Sequence, residues 1–258
     1  MVIDNLVVTK SGGIHMARNL ADQAVGLLGD RVRAAVDGNF DGRAIVLFSG
    51  GRDSSLVAAA FCEAFSGGQL TLLLVDNGLL SRLDSTKRQA AVVKNMYPQV
   101  EVVFHCKRVS EMMRKVVMQN VEQDFLRRKY RSLLACVGCK LIMNVSASRY
   151  ARESGINVLL DGYAERQKDY PEQTEAFMDS VKGVYASAGL TYISPLYDFL
   201  ASKPKVNQTL DEFGFRIPKQ EPVCMLADSF STADPTEVAR YIAEKLEQIR
   251  EFDADLHC

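Results

Sequence analysis

The chain has 258 residues, of which 47% are hydrophobic and 24% charged, so it is long enough to bury a substantial core as one large domain or two small ones. Its net charge of −1 provides no whole-chain basic field of the kind that attracts nucleic acid. The sequence contains no apolar run of about 18 residues and no signal-peptide pattern at its start, which predicts a cytoplasmic protein with no membrane partner.

Strand-like and helix-like patterns alternate along the chain. An entry helix is predicted in residues 16–36 and a last helix in residues 234–252. Between them, apolar runs predict strands at residues 44–48, 70–75, 100–105, 158–160 and 191–193, and helical spacing predicts helices at residues 54–64, 84–96, 111–129, 141–153 and 172–188. This alternation predicts an α/β fold with a doubly wound parallel sheet and helical N- and C-terminal extensions.

The same patterns suggest three regions. We expect an N-terminal helical extension in residues 1–40, a sheet domain in residues 41–200, and a C-terminal helical region in residues 201–258 that carries a third cysteine of interest. A proline-punctuated stretch, residues 195–222, lies at the second boundary.

A glycine turn follows the first predicted strand and opens the next helix. Its residues are Ser49, Gly50, Gly51, Arg52, Asp53, Ser54 and Ser55. Glycines let the backbone approach an anion, and the free N–H groups and dipole of the helix start favour negative charge there. The pattern is neither the Walker loop nor the dinucleotide-binding glycine motif. A plain helix cap of Ser or Asp is the alternative, but the strand context favours a loop that binds the phosphates of a nucleotide.

The second predicted strand ends in Asp76-Asn77-Gly78. An acid at a strand end can meet the ribose or base of a bound nucleotide, and Asp76 is therefore a candidate nucleotide contact. The alternative is an Asx turn in which Asp76 caps its own loop.

Three of the six cysteines form the second candidate site. Cys136 and Cys139 form a Cys-x-x-Cys at a helix start, and Cys224 follows far along the chain. Three thiolates suit a four-iron cluster in which one iron has no protein ligand. A structural zinc site requires four protein ligands, and the three histidines of the chain do not have the spacing of zinc ligands. Cys62 and Cys106 are interpreted as core thiols.

The glycine turn resembles the SGGxDS loop of the PP-loop ATP pyrophosphatases, also called adenine nucleotide alpha hydrolases, and Leu74-Val75-Asp76 resembles their second-strand motif. Further motifs between residues 136 and 226 follow the order found in the sulfur transferases that build the nickel-pincer cofactor of lactate racemase. Three positions depart from the motifs of that family. After Cys224 the family has Ser-Arg and this chain has Met225; the family's Asp-Gly-Thr-Asn has tyrosine at Tyr163; and its Arg-Pro-Gly reads Pro171-Glu172-Gln173. These positions are expected contacts of the acceptor, so the departures concern the identity of the acceptor and not the sulfur-transfer chemistry.

The resemblance implies an ATP-dependent sulfur transferase that adenylates an acceptor with release of pyrophosphate. It implies ATP, Mg²⁺ and a [4Fe-4S] cluster as cofactors, with ATP held by the glycine turn and Asp76, and with Asp53, Lys203 and Cys224 as catalytic residues. Cys136, Cys139 and Cys224 would hold the cluster, and sulfur would come either from a cluster-bound sulfide or from Cys224 itself.

The acceptor implied is a small molecule, such as a nucleotide-like carboxylate, and the protein is expected to form a homo-oligomer. Two alternatives remain open. One is a tRNA 2-thiolation enzyme, for which the basic run at residues 127–131 is a candidate contact, with a solvated helix face as the alternative. The other is a PP-loop amide ligase or nucleotide-binding protein whose cysteines hold a structural zinc.

Overall fold

A computed structural model describes residues 25–36, 38, 40–128, 134–198, 223–226 and 234–256 of the protein. Its strands are β1 (Arg43–Leu47), β2 (Gln69–Asp76), β3 (Leu80–Ser81), β4 (Glu101–Arg108), β5 (Val158–Leu160), β6 (Thr191–Ile193) and β7 (Val223–Cys224). Five of them form a sheet in the order β4-β2-β1-β5-β6, and every neighbouring pair in it is parallel. β3 and β7 form a separate antiparallel pair.

The helices connect these strands. In chain order they are α1 (residues 25–35), α2 (Arg52–Ala64), α3 (Leu83–Met96), α4 (Ser110–Val116), α5 (Val121–Arg127), α6 (Ala135–Ser154), α7 (Glu175–Ser187), α8 (Pro195–Asp198) and α9 (Pro235–Leu256). Short 3₁₀ turns lie at Met118–Asn120, Glu165–Gln167 and Pro171–Gln173.

Each face of the sheet is covered by its own hydrophobic core. Ala44 and Val46 of β1 point into a core shared with α1, α2 and α3, whereas Ile45, between them in sequence, joins a core shared with α4, α6, α7 and α9. Burial on both faces explains why the central strands are nearly continuous apolar runs, such as Leu72 to Val75 in β2. The doubly wound parallel α/β fold expected from the sequence is confirmed.

Strand register brings three loops to one edge of the sheet. Leu47 at the end of β1 pairs with Leu73 of β2, and Val46 pairs with Leu160 at the end of β5. The segments that follow β1, β2 and β5 therefore leave the sheet at the same carboxyl edge, which is where doubly wound folds bind ligands.

The helix predicted over residues 111–129 is divided in the structure, where α4 ends at Val116 and a 3₁₀ turn precedes α5. Two side chains end α4 by donating hydrogen bonds to its last carbonyl oxygens. Asn120 Nδ2 donates to the carbonyl oxygens of Lys115 and Val116 at 3.0 and 3.2 Å, and Lys245 Nζ of α9 donates to Val116 O at 2.9 Å. Helical periodicity alone could not reveal these competing bonds.

The β3–β7 pair brings the segment around Cys224 back to the sheet domain. Leu80 is paired with Cys224, and Met225 N donates to Leu79 O at 2.9 Å. Among the described helices, none combines the length and the apolar character needed to cross a bilayer.

Candidate functional site

The turn between β1 and α2 depends on Gly50. Its φ is +79°, in the left-handed region that favours glycine, and a Cβ built there would lie 2.9 Å from Thr86 Cα. Thr86 Oγ1 also donates to Ser49 O at 2.9 Å, so α3 packs directly on the turn and fixes its path. A residue with a side chain at position 50 would meet both the backbone strain and this contact.

The hydroxyl groups of the turn bind one another and the backbone. Gly51 N donates to Ser49 Oγ at 3.2 Å, and Ser54 Oγ donates to Gly51 O at 3.2 Å. The Ser49 and Ser54 hydroxyl oxygens are also 3.2 Å apart. The turn is therefore held in shape before any ligand arrives, as a preorganised anion site requires.

The first turn of α2 touches the loop that follows β5. A Cβ at Gly162 would lie 2.8 Å from Ser54 N, so only glycine allows this approach. Between the two loops lies a cavity of about 450 Å³. Its lining comes from the glycine turn, the end of β2, helix α6 and the loop after β5, and includes Ser49, Gly51, Arg52, Asp53, Ser54, Val75, Lys140, Met143, Asp161, Gly162, Tyr163, Gln167, Tyr170, Glu172 and Gln173.

Asp161 is a buried carboxyl group in the wall of this cavity. Ser194 Oγ donates to its Oδ1 at 2.6 Å, Tyr192 OH donates to its Oδ2, and Tyr163 N donates to its Oδ1 at 3.1 Å. Burial raises the pKa of Asp161 to about 6, against the lowering effect of these hydrogen bonds and of the Lys140 charge. The group thus changes its protonation state near neutral pH.

A second buried network lies behind it. Asn144 of α6 donates from Nδ2 to Tyr163 OH at 2.9 Å, and Tyr185 OH donates to Asn144 Oδ1 at 2.6 Å. Tyr185 stacks on Tyr192 with ring centroids 4.7 Å apart, which links this network to Asp161. Burial raises the pKa of both tyrosines well above its usual value, so they stay neutral donors.

Asp76 takes the Asx-turn position. Its Oδ1 accepts from Gly78 N at 2.8 Å, and its Oδ2 lies 3.8 Å from Arg108 Nε. Asp76 is buried, and it does not line the cavity, although Val75 before it does. The sequence left two interpretations of Asp76 open, a nucleotide contact and an Asx turn that caps the loop. The structure shows the hydrogen bond of the Asx turn.

The Cys-x-x-Cys lies in the first turn of α6, as its position at a helix start predicts. Gly138 between the two cysteines is required for packing, because a Cβ there would lie 2.8 Å from Val117 Cγ2 and 3.0 Å from Tyr241 OH. Asn77 Nδ2 donates to Cys139 Sγ at 3.1 Å. Lys140, the next residue, lines the cavity and its charge acts on the Cys139 thiol, whereas neither cysteine of the pair is among the lining residues.

Cys139, Cys136 and Cys224 are electrostatically coupled. Burial raises the pKa of Cys139 to about 11; Asn77 and Lys140 oppose that rise, and negative charge on Cys136 or Cys224 adds to it. All three thiols are partly buried. Within the described part of the chain, however, no three His, Cys, Asp or Glu side chains converge as they do around a bound metal ion.

Other predicted residues are placed as follows. Ser55 Oγ is fully buried and has no hydrogen-bond partner among the described residues. Of the basic run, Arg127 pairs with Glu244 at 2.9 Å and Arg128 lies 4.5 Å over the ring of Tyr241, so these two arginines attach α5 to α9. Lys203 lies outside the described residues, as do residues 129–133.

The sequence analysis missed Thr86, Asn77 and the Tyr192–Ser194 pair. Asn77 had a detectable signal, because it directly follows an acid at a strand end. Thr86 and Tyr192 had none, since each reaches the site from an element distant in sequence.

No protein-family model matches the chain, and no curated protein matches it. Among solved structures it is similar to the U34-tRNA thiolase NcsA from Methanococcus maripaludis with its [4Fe-4S] cluster. The similarity has a TM-score of 0.49 at 15% identity and covers 96% of this chain and 81% of that chain. A likeness this distant carries no argument about activity.

Proposed function

We propose that the protein is an ATP-dependent sulfur transferase that adenylates an acceptor, releases pyrophosphate and transfers sulfur from a centre built on Cys136, Cys139 and Cys224. One observation carries the proposal. The cavity lined by the glycine turn is also lined by Lys140, the residue that follows Cys139, and the charge of Lys140 acts on the Cys139 thiol. This proximity supports a reaction in which an acceptor is activated at the glycine turn and then receives sulfur from the cysteines.

In this proposal the glycine turn binds the triphosphate. Backbone N–H groups at the start of α2 and the hydroxyls of Ser49 and Ser54 are proposed to bind the phosphates, and Asp53 lines the same cavity. A bound Mg²⁺ would neutralise part of the phosphate charge, and Lys203 is proposed to reach the phosphates as a point charge. Gly50, Gly51 and Ser55 complete the loop, with Gly50 setting its path through its positive φ.

An oxygen of the acceptor attacks the alpha phosphorus and forms a new P–O bond. The bond from that phosphorus to the bridging oxygen breaks, and the electron pair leaves with pyrophosphate. No protein nucleophile is needed, since positioning and stabilisation of the spread negative charge supply the catalysis. The acceptor end of the cavity is lined by Asp161, Tyr163 and Gln173, and Asp161 can hold or accept a proton there at its Oδ atoms.

The three thiols are soft ligands that suit iron by their chemistry, but within the described residues they do not converge on one point, so binding of an iron centre would have to bring them together. Asn77 donates to the Cys139 sulfur, as neighbouring donors do to cluster thiolates. Negative charge on Cys136 or Cys224 raises the pKa of Cys139, and a bound cationic centre would oppose that effect. When bound, a [4Fe-4S] cluster would supply a site for a transferable sulfide. Cys224 itself is the alternative sulfur donor, and its Cβ–Sγ bond would then break. With either donor a new bond forms between sulfur and the acceptor, the bond from the acceptor to the phosphate oxygen breaks, and AMP leaves with that oxygen and its electron pair.

The chain's own contacts prepare this centre. β7 pairing with Leu80 holds Cys224 near the end of β2, and the Asn77 hydrogen bond holds Cys139 there as well. Gly138 packs closely against Tyr241 at the start of α6. These contacts support the proposal because they tie both cysteine segments to the chain that follows β2.

The reaction class is tested with protein purified without oxygen, ATP and one acceptor probe at a time, either nicotinic acid mononucleotide or bulk tRNA. We expect AMP and pyrophosphate with the small carboxylate, and at least a tenfold loss in Asp53→Asn, a factor typical of a lost transition-state interaction. Asp84→Asn is the matched control, because Asp84 is an exposed acid in the first turn of α3.

Products of ADP and phosphate, or equal rates in both variants, would contradict the adenylation proposal. AMP formation with tRNA alone would replace the small acceptor by tRNA. Elemental analysis decides the metal: iron that is lost in Cys136→Ser and kept in Cys106→Ser supports the cluster, whereas zinc supports the ligase alternative. Cys106 is exposed on β4 and serves as the matched control.

A further inference from the structure

A second cavity, of about 930 Å³, opens between the end of β4, α4, α6 and the last turns of α9. Within the described ranges, no residue lines both this cavity and the one beside the glycine turn. We call it the basic groove and define it by four cationic side chains of its wall, Lys107, Arg108, Arg149 and Arg152.

The wall carries more positive than negative charge. Against the four cations of the lining stand two lining acids, Glu111 and Glu153, and Asp76, which lies outside the lining but 3.8 Å from Arg108 Nε, so an excess of one positive charge remains. Glu153 binds Lys107 at 3.1 Å, and its side chain is 65% exposed. Both acids lie at the rim, where they would repel an extended polyanion but leave room for a compact dianion between the arginines.

The floor of the groove is apolar. Val109, Met112 and Phe252 line it and are each only 7% exposed. Among them lies Ser146, whose Oγ is buried and has no hydrogen-bond partner among the described residues. A buried hydroxyl without a partner costs free energy, and a ligand oxygen in the groove would satisfy it.

We propose that the basic groove binds a small phosphate monoester with an apolar or ring-shaped body. Arginine forks match the geometry of phosphate oxygens, and a phosphate monoester offers three such oxygens to the cationic wall where a carboxylate offers two. The apolar floor accommodates the body of the molecule, and Ser146 Oγ provides a further polar contact. This site is separate from the nucleotide cavity, and its existence does not depend on the sulfur-transfer proposal.

The test is calorimetric titration of the full chain with phenyl phosphate, while a non-hydrolysable ATP analogue saturates the nucleotide cavity. We expect binding that weakens at least about tenfold in the double variant Arg108→Gln, Arg152→Gln, because each arginine makes a charge-assisted contact. The double variant Arg114→Gln, Arg240→Gln is the control, since it removes the same charge at two exposed sites outside the groove. The control should bind as the natural chain does.

Four further outcomes would overturn the proposal. Phenyl phosphate displaced by the ATP analogue would place its binding in the nucleotide cavity, and equal losses in both double variants would mean nonspecific charge attraction. Tighter, groove-dependent binding of a single-stranded RNA oligonucleotide would assign the groove to nucleic acid instead. Benzoate titrated in parallel should bind more weakly than phenyl phosphate, and equal affinity would contradict a phosphate site. Circular dichroism of each variant confirms that the fold is retained.

Discussion

The side-chain amide of Asn77 donates a hydrogen bond to the sulfur of Cys139 across 3.1 Å, although 62 residues separate the two in sequence. Asn77 follows the last residue of β2, and Cys139 lies in the first turn of α6. This bond connects the carboxyl edge of the sheet to the cysteine pair. The bond lowers the pKa of the Cys139 thiol, but the effect of burial is larger, and the pKa is raised to about 11.

Replacing Asn77 by Asp should slow alkylation of Cys139. The aspartate keeps an acceptor for Leu79 N, which Asn77 Oδ1 now holds at 2.8 Å, but it removes the donor and adds a negative charge beside the sulfur. We expect the pKa of Cys139 to rise, and each rise of one reduces the thiolate fraction about tenfold. Mass spectrometry of iodoacetamide-treated, metal-free protein measures the rate. Asn120→Asp is the control, and an unchanged rate in Asn77→Asp would contradict the prediction.

Replacing Gly50 by Ala should abolish nucleotide binding and destabilise the protein. The φ of +79° strains any L side chain, and the new Cβ would lie 2.9 Å from Thr86 Cα. We expect a loss of about 1–3 kcal/mol in the free energy of unfolding. Urea denaturation measures it, and ATP titration measures binding.

The matched control is Gly183→Ala in α7, where a Cβ meets nothing within 4 Å. There alanine should stabilise the helix by up to about 1 kcal/mol. If both variants behaved alike, the turn at Gly50 would not have the geometry described.

The pKa of Asp161 predicts a pH dependence of stability. Its value is raised from 3.8 to about 6 in the folded protein, so the folded state keeps the proton more strongly than the unfolded state does. Protonated Asp161 therefore contributes to the free energy of unfolding. This contribution is fully present below the unfolded-state pKa of 3.8 and is lost as pH rises through about 6. The total loss is about 3 kcal/mol.

In the variant Asp161→Asn the side chain is neutral at every pH, so the variant does not lose stability through this group as pH rises. Between about pH 4 and about pH 7, the free energy of unfolding of the natural chain should therefore fall by about 2 kcal/mol relative to the variant. Urea denaturation of both proteins at the two pH values measures the difference, with Asp84→Asn as a control for the loss of one carboxylate. A difference that stays constant with pH would contradict the assignment.

Replacing Lys245 by Met should strongly destabilise the protein. Lys245 is fully buried in α9, with Nζ 2.8 Å from Asp124 Oδ2 and 2.9 Å from Val116 O. Its removal leaves a buried carboxylate without its partner, at a cost of about 3–5 kcal/mol. Thermal and urea unfolding measure the loss.

Arg250→Met is the control, because Arg250 forms an exposed ion pair with Glu247 at 3.0 Å, and its loss should cost no more than about 1 kcal/mol. Adding Asp124→Asn to Lys245→Met should recover part of the stability by removing the isolated charge. Equal effects of the two single variants would contradict the buried pair.

Much of the fold could be predicted because the local signals agree with one another. Strands β5 and β6 begin and end where their apolar runs do, and α3 and α9 follow clear helical spacing. The two-residue strands β3 and β7 were missed, since so short a pair is defined only by its partner. The break after Val116 was missed because Asn120 and Lys245 end α4 through side-chain bonds that periodicity does not report.

Within the site, the glycine turn could be recognised from local residues alone, because a strand, two glycines and a helix start have one common geometry. The same holds for Cys136 and Cys139, which lie one turn apart near the start of a helix. The sequence did not reveal that α6 lies beside the glycine turn, that Cys224 returns through β7, or that Asp161 is buried with Tyr192 and Ser194. Burial and long-range hydrogen bonds depend on which elements pack together, and strand order sets this packing while no single segment encodes it.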